Sequence, residues 1–190
     1  MSALEKPAIS SEDGPPGRDG SPLCLACGFC CTGLLHAYTP LRADEVELVR
    51  AHGLSLDPSR PEPSLAQPCA LHRDGRCSIY ETGRPRTCVR YSCALLTGFL
   101  VGTVSLERTR EIVRRTRELE VDAVALLPPG LPLERLNREL DESWQEREGF
   151  LGSPARRQEH ARLLLALAIL HRYLARHFLP AKSKEAASSP

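Results

Sequence analysis

Eight cysteines are the residues of this sequence whose type and spacing can do chemistry, and all of them lie before residue 94. Two intervening residues separate Cys24 from Cys27, and two separate Cys27 from Cys30. Spacings of two to four residues let a tight turn direct both sulfurs at one ion. The pattern therefore predicts metal binding. The predicted ligands are Cys24, Cys27, Cys30, Cys31, Cys69, Cys77, Cys88 and Cys93.

Cys30 and Cys31 are adjacent, and neighbouring side chains of an extended backbone point to opposite faces. We therefore expect their sulfurs to serve two sites, or one site and its flank. Eight thiolates divide into two sets of four, the number of ligands in a closed tetrahedral sulfur site. An iron–sulfur cluster is the alternative, because the run from Cys24 to Cys30 has ferredoxin spacing. Leu34 stands where that run has its fourth cysteine.

The segment between Cys24 and Cys93 has few large apolar residues and many Pro, Gly and Arg residues. Such a segment buries too little apolar surface to fold unaided. Bound metal can stabilise it, since structural zinc contributes roughly 10–16 kcal/mol in small finger peptides. A disulfide framework and free or catalytic thiols are the alternatives to metal.

The remaining composition suggests a cytoplasmic protein. No secretory signal is visible, and the longest apolar run, Leu163 to Leu170, is too short to span a bilayer. Clustered cysteines in a reducing compartment are more often metal ligands or redox groups than disulfides. The net charge is +1, so neither nucleic acid nor a membrane surface is an expected partner.

Composition also divides the chain into four parts. Residues 1–22 and 180–190 are polar and are predicted to be disordered tails. Residues 23–103 form a cysteine-cluster region, and residues 104–179 form a helical region that packs on it. We expect a mainly α fold, in which an irregular cysteine-rich metal-binding core packs with a small helical bundle.

Helical periodicity and capping residues predict four helices. The first covers residues 39–53, with Thr39 as its cap, Pro40 in its first turn and Gly53 in the left-handed conformation at its end. The second covers residues 105–120, and the third runs from Leu133 through Trp144. The fourth begins at residues 153–154 and carries an apolar stripe, Leu163, Leu167, Leu170, Leu174 and Phe178. Its apolar centre predicts burial within the bundle, or in a homodimer through this last helix.

Charged and aromatic residues among the cysteines have weaker predicted roles. His36 and His72 are candidate ligands, although a surface or supporting role is expected. Tyr80 and Tyr91 are predicted to belong to the core. Five arginines could compensate an anionic thiolate site, the alternative being a solvated basic surface; they are Arg73, Arg76, Arg84, Arg86 and Arg90. The arginines of the second helix, Arg108, Arg110, Arg114, Arg115 and Arg117, are predicted to be solvated.

The run CLACGFCC, followed by CALHRDGRCSIYETGRPRTCVRYSC, resembles the bacterial CxxCxxCC cysteine-cluster family, described as chelators of zinc or iron. The resemblance spans residues 24–93 and implies metal chelation by these cysteines, with no settled reaction. Flagellin lysine methylases resemble the same family, so an S-adenosylmethionine-dependent protein lysine methylase is the enzyme alternative. An interaction module with purely structural zinc is the other alternative. The protein partner and the pathway are left open.

Overall fold

The computed structural model describes residues 19–133, 154–159 and 161–180. The helices there are α1 (Ser21–Cys27), α2 (Val46–Ala51), α3 (Arg86–Arg90), α4 (Ala94–Leu100), α5 (Leu106–Val124), α6 (Pro154–Glu159) and α7 (Ala161–His177). The strands are β1 (Tyr38–Pro40), β2 (Ser64–Ala66), β3 (His72–Arg73) and β4 (Arg76–Cys77). The predicted mainly α class is therefore confirmed for these ranges. Most of the two tails, and the third predicted helix beyond Leu133, lie outside the described residues.

The strands form two small antiparallel pairs within the cysteine region. β1 pairs with β2, and β3 pairs with β4 so that His72 lies opposite Cys77. The turn between β3 and β4 is Asp74–Gly75, and both residues have positive φ, of 50° and 74°. An Asp-Gly turn of this kind matches the twist of a two-residue hairpin. The turn thereby places Cys77 beside the chain that leads from Cys69.

The first predicted helix begins later than its sequence indicates. Thr39 and Pro40 lie in β1, and a 3-10 turn (Ala43–Glu45) precedes α2. The Glu45 carboxylate, rather than a Thr39 hydroxyl, accepts the first free N–H, that of Arg42, at 2.9 Å. The Thr39 cap prediction is wrong because pairing with β2 extends the backbone there. Gly53 has a φ of 72°, which confirms the predicted left-handed end.

The main core lies between α5 and α7. The stripe predicted for the last helix is confirmed, because all five of its side chains are buried. They meet Ile112, Leu119 and Ala123 of α5. Phe29 and Leu95 of the cysteine region join the same core. One core therefore connects the long helices to the segment that carries the cysteines.

The outer side of α7 is exposed in the single chain. Leu165 and Ile169 are 64% and 47% exposed, so the described residues of this chain do not bury the helix on all sides, and a homodimer through this helix stays a prediction. The buried stripe occupies one side of the helix, and the remaining apolar residues face outward. No helix in the described ranges is long and apolar enough to cross a membrane.

Candidate metal centre

A single cavity of about 580 Å³ is lined by all eight cysteines. Its walls come from α1 and the turn that follows it, the β3–β4 hairpin, α3 and the start of α4. All eight thiols are free and partly buried. We call this space the cysteine cavity. Residues that are up to 69 positions apart in sequence, from Cys24 to Cys93, thus face one volume.

The first wall is built by α1 and its C-terminal turn. Cys24 and Cys27 lie one helical turn apart. Gly28 ends the helix with a φ of 68°, and its N–H donates to the Cys24 carbonyl at 3.1 Å. A Cβ at this position would also lie 2.7 Å from His72 Nε2, so the close approach of the β3–β4 hairpin requires glycine as well.

Replacing Gly28 by alanine is expected to destabilise the protein by about 1–3 kcal/mol, since it adds backbone strain and a close contact with Nε2 of the half-buried His72. Gly53→Ala is a matched control, because Gly53 has a similar φ but nothing within 4 Å of its Cβ position. Urea unfolding of both variants in the same metal state measures the difference. Equal losses for both would show that the approach of His72 contributes nothing.

The other walls are tied together by backbone hydrogen bonds. The Cys69 N–H donates to the Cys31 carbonyl at 2.8 Å, and the His72 N–H donates to the Cys69 carbonyl at 2.9 Å. Cys88 lies within α3. Cys93 caps α4, and its sulfur accepts the Leu96 N–H at 3.4 Å. The distant cysteines are therefore held by regular structure on each side of the cavity.

Burial keeps several of these thiols protonated. Together with negative charge on neighbouring cysteines, it raises the pKa of Cys27 and of Cys31 to about 12, and that of Cys88 to about 11. Thiols must lose their protons to bind a metal ion. The thiols of Cys27, Cys31 and Cys88 are therefore uncharged near neutral pH, and a bound cation would favour their ionised forms.

Four buried side-chain atoms among the described residues have no hydrogen-bond partner, and all four belong to residues that line the cysteine cavity. Buried polar atoms in folded proteins are nearly always hydrogen-bonded. The presence of all four unpartnered atoms in the walls of one cavity indicates that the cavity suits a polar or charged occupant. Thiols are suitable ligands for zinc and iron. The four atoms are His36 Nε2, Gln67 Oε1, His72 Nε2 and Arg84 Nε.

The side chains that line the cavity do not surround a common point in this structure. In the described ranges, no three His, Cys, Asp or Glu side chains form a group that could hold an ion. The cavity is also much larger than the roughly 30 Å³ that one water occupies in the liquid. The thiols would therefore have to rotate inward to coordinate an ion.

Among the five arginines considered for charge compensation, Arg84 alone lines the cavity. Its guanidinium lies 3.5 Å from the ring centre of Tyr80. Its charge favours the thiolates of Cys24 and Cys88, although burial still raises the pKa of both. The solvated alternative holds for the other four, which are exposed: Arg73, Arg76, Arg86 and Arg90.

Arg117 makes a contact beside the site that the sequence did not reveal. It is exposed, as predicted, and its guanidinium also donates to the Ala26 and Cys27 carbonyls, at 2.7 and 2.9 Å. It also lies 5.2 Å from the ring centre of Phe29. The carbonyls at the C-terminal end of α1 thus accept hydrogen bonds from a guanidinium of α5. No local pattern signals a contact between residues 90 positions apart.

The two tyrosines predicted as core, Tyr80 and Tyr91, are half-buried, belong to neither hydrophobic cluster of the described residues, and line the cavity. A hydrogen bond from the Tyr80 side chain favours the Cys24 thiolate. Tyr91 packs edge-on against His36, with ring centres 4.9 Å apart. Burial raises the pKa of Tyr91 and lowers that of His36, so both side chains are held in their neutral forms.

Comparison with known proteins agrees with this geometry. Residues 23–116 match the model of the CxxCxxCC family, described as "Putative zinc- or iron-chelating domain", so this part of the chain is similar to that family. The matched segment contains all eight cysteines and ends within α5. The family thus supports metal binding in general. Neither the curated proteins nor the solved structures contain a match to this chain.

Proposed function

We propose that this protein chelates zinc or iron in the cytoplasm, through the eight cysteines of the cysteine cavity. The observation that carries the proposal is the convergence of eight free thiols on one cavity. The unpartnered atoms of His36, His72 and Arg84 in the same walls support it. The metal, when bound, would supply a structural cross-link if it is zinc and electron transfer in addition if it is iron, alone or in an iron–sulfur cluster.

The surrounding residues would have defined supporting roles. Arg84 would offset the negative charge that accumulates as the thiols ionise, since it already favours the thiolates of Cys24 and Cys88. Arg117 would do the same for Cys27, whose thiolate its charge also favours. Tyr80 would orient the Cys24 sulfur through its hydrogen bond. Partners of this kind tune the affinity and chemistry of metal ligands.

Metal binding is expected to release protons. Burial raises the pKa of Cys24, Cys27, Cys30 and Cys93, so these thiols are neutral before binding. An ion bound by four such thiols displaces about four protons, and the apparent affinity therefore rises with pH. Calorimetric titration of the reduced metal-free protein with Zn²⁺, in buffers of different ionisation enthalpy, measures the number released. Binding without proton release would rule out thiolate ligation.

Two other functions predict different results with the same preparation. A protein lysine methylase would bind S-adenosylmethionine, which equilibrium dialysis of the metal-loaded protein detects. An interaction module would hold zinc in a closed site that neither reductants nor small ligands affect. Simple chelation requires metal binding through the thiols and no binding of the cosubstrate.

A further inference from the structure

The helix α3, which carries Cys88, is too short to be stable on its own. It has five residues, and isolated helices shorter than about 12–15 residues are marginal in water. Its N-cap residue, Pro85, provides no side-chain hydrogen bond to the free N–H groups of the first turn. The position of Cys88 therefore depends on the contacts that other segments make with α3.

One buried carboxylate supplies such a contact. Glu45, in the 3-10 turn before α2, is 5% exposed and is the only charged side chain that is buried within the described ranges. One of its oxygens accepts the N–H of Arg86, the first residue of α3. The other oxygen accepts the Arg42 N–H at 2.9 Å. Glu45 thus joins α3 to a turn that lies 41 positions earlier in the sequence.

A second hydrogen bond ties the next residue of α3 to the same part of the fold. The Thr87 hydroxyl donates to the Pro40 carbonyl of β1 at 2.8 Å. Thr87 and Cys88 both line the cysteine cavity, whereas Glu45 is not among the residues that line it. Glu45 therefore lies behind the wall of the cavity and acts on Cys88 through the backbone of α3.

The chemistry of the contact requires a carboxylate. A glutamine side chain of the same size has one oxygen and one NH₂ group, so one of the two N–H groups would face another donor. A buried donor without an acceptor is costly, and so is a buried carboxylate without hydrogen bonds. The buried charge of Glu45 is therefore explained by the two backbone segments that it holds together.

We infer that Glu45 is a positioning residue for metal chelation, which holds Cys88 in the wall of the cysteine cavity where its thiolate can bind the ion. This inference rests on the proposed function and adds a residue that is not itself a ligand. Loss of either hydrogen bond to Glu45 would free the start of α3. The bond between Cys88 and the metal would then open more often, while the other cysteines stay bound.

Glu45→Gln and Asp44→Asn are a matched pair of variants that tests this role. Each replaces a carboxylate by an amide of the same size in the same turn. Asp44 is exposed, and its ion pairs with Arg42 and Arg86, at 3.2 and 3.8 Å, lie on the surface. The pair therefore separates the buried hydrogen bonds of Glu45 from the surface charge beside them.

The measurement is the rate at which iodoacetamide alkylates each cysteine of the zinc-loaded protein, read by mass spectrometry. Trypsin releases Cys88 in a peptide of residues 87–90 that contains no other cysteine. Alkylation of Cys88 in Glu45→Gln should be about tenfold faster than in the unaltered chain, the effect of one unsatisfied buried N–H. Asp44→Asn should match the unaltered chain. A merely structural role of Glu45 would raise the rates of all eight cysteines together.

Equal rates at Cys88 in the two variants, or an increase shared by all the cysteines, would overturn the inference. If circular dichroism shows that Glu45→Gln does not fold, Thr87→Val decides the question with the same readout, because it removes the other hydrogen bond to α3 at nearly constant side-chain size. Zinc that fails to slow the alkylation of Cys88 in the unaltered protein would instead contradict the proposed function. The two failures are therefore distinguishable.

Discussion

Treatment with a strong chelator under reducing conditions is expected to unfold the cysteine region, residues 24–93. The strands of this region are two or three residues long, and its own small core consists of Leu41, Val49 and Leu65 with two partly buried leucines. Apolar burial on this scale contributes little, whereas each structural metal site contributes roughly 10–16 kcal/mol in small peptides. Loss of the metal therefore removes the largest stabilising term in this segment.

Hydrogen exchange read by mass spectrometry is the appropriate measurement, because it reports each segment separately. Peptides from residues 24–93 should lose protection when the chelator is added and regain it when metal is restored. Peptides from α5 and α7 serve as the internal control, since these helices pack against each other. Unchanged protection of the cysteine region in metal-free, reduced protein would contradict a stabilising role for the metal.

Replacing Phe178 by alanine is expected to cost about 3–5 kcal/mol, the usual range for a fully buried aromatic side chain. Phe178 is 0% exposed, and its ring meets that of Phe29 edge-on, with the centres 5.6 Å apart. Its carbonyl also accepts the Ala94 N–H at 3.0 Å. Since Phe29 precedes Cys30 and Ala94 follows Cys93, the cavity left by the substitution should loosen Cys30 and Cys93 as well.

Urea unfolding at a fixed metal load measures the loss of stability, and transfer of metal to a competing chelator measures the loosening. Leu165→Ala in α7 is the control, because Leu165 is 64% exposed and surface changes usually stay within about 0.5 kcal/mol. Faster metal transfer from Phe178→Ala than from Leu165→Ala is the expected result. Equal behaviour of the two variants would show that the main core does not support the metal site.

Features with a local cause were predictable from the sequence. The left-handed Gly53 follows from the end of a predicted helix, and the α7 stripe follows from helical periodicity. Thr39 was misread because its backbone pairs with residues more than 20 positions away, and local capping rules do not describe such pairing. Strand pairing overrides the capping preference in this case.

Contacts between distant segments were the part that sequence reasoning could not supply. Arg117 reaches α1 only because α5 packs beside it, and its own neighbourhood in sequence resembles an exposed charged helix. Arg84 differs from four nearby arginines in that it lines the cavity, whereas the other four are exposed. The choice between zinc and iron is also not encoded in the ligands, because thiolate sulfur suits both metals.

Metal analysis of protein purified without air is the most direct test of the central claim, which is thiolate chelation of zinc or iron. Zinc, iron and acid-labile sulfide are measured together with the number of titratable thiols in the same sample. We expect zinc or iron in the purified protein, with the thiols protected until the metal is removed. Colourless protein would indicate zinc, and brown protein with sulfide would indicate an iron–sulfur cluster. Protein that contains neither metal, with its eight cysteines titrating as free thiols or found in disulfides, would contradict the account.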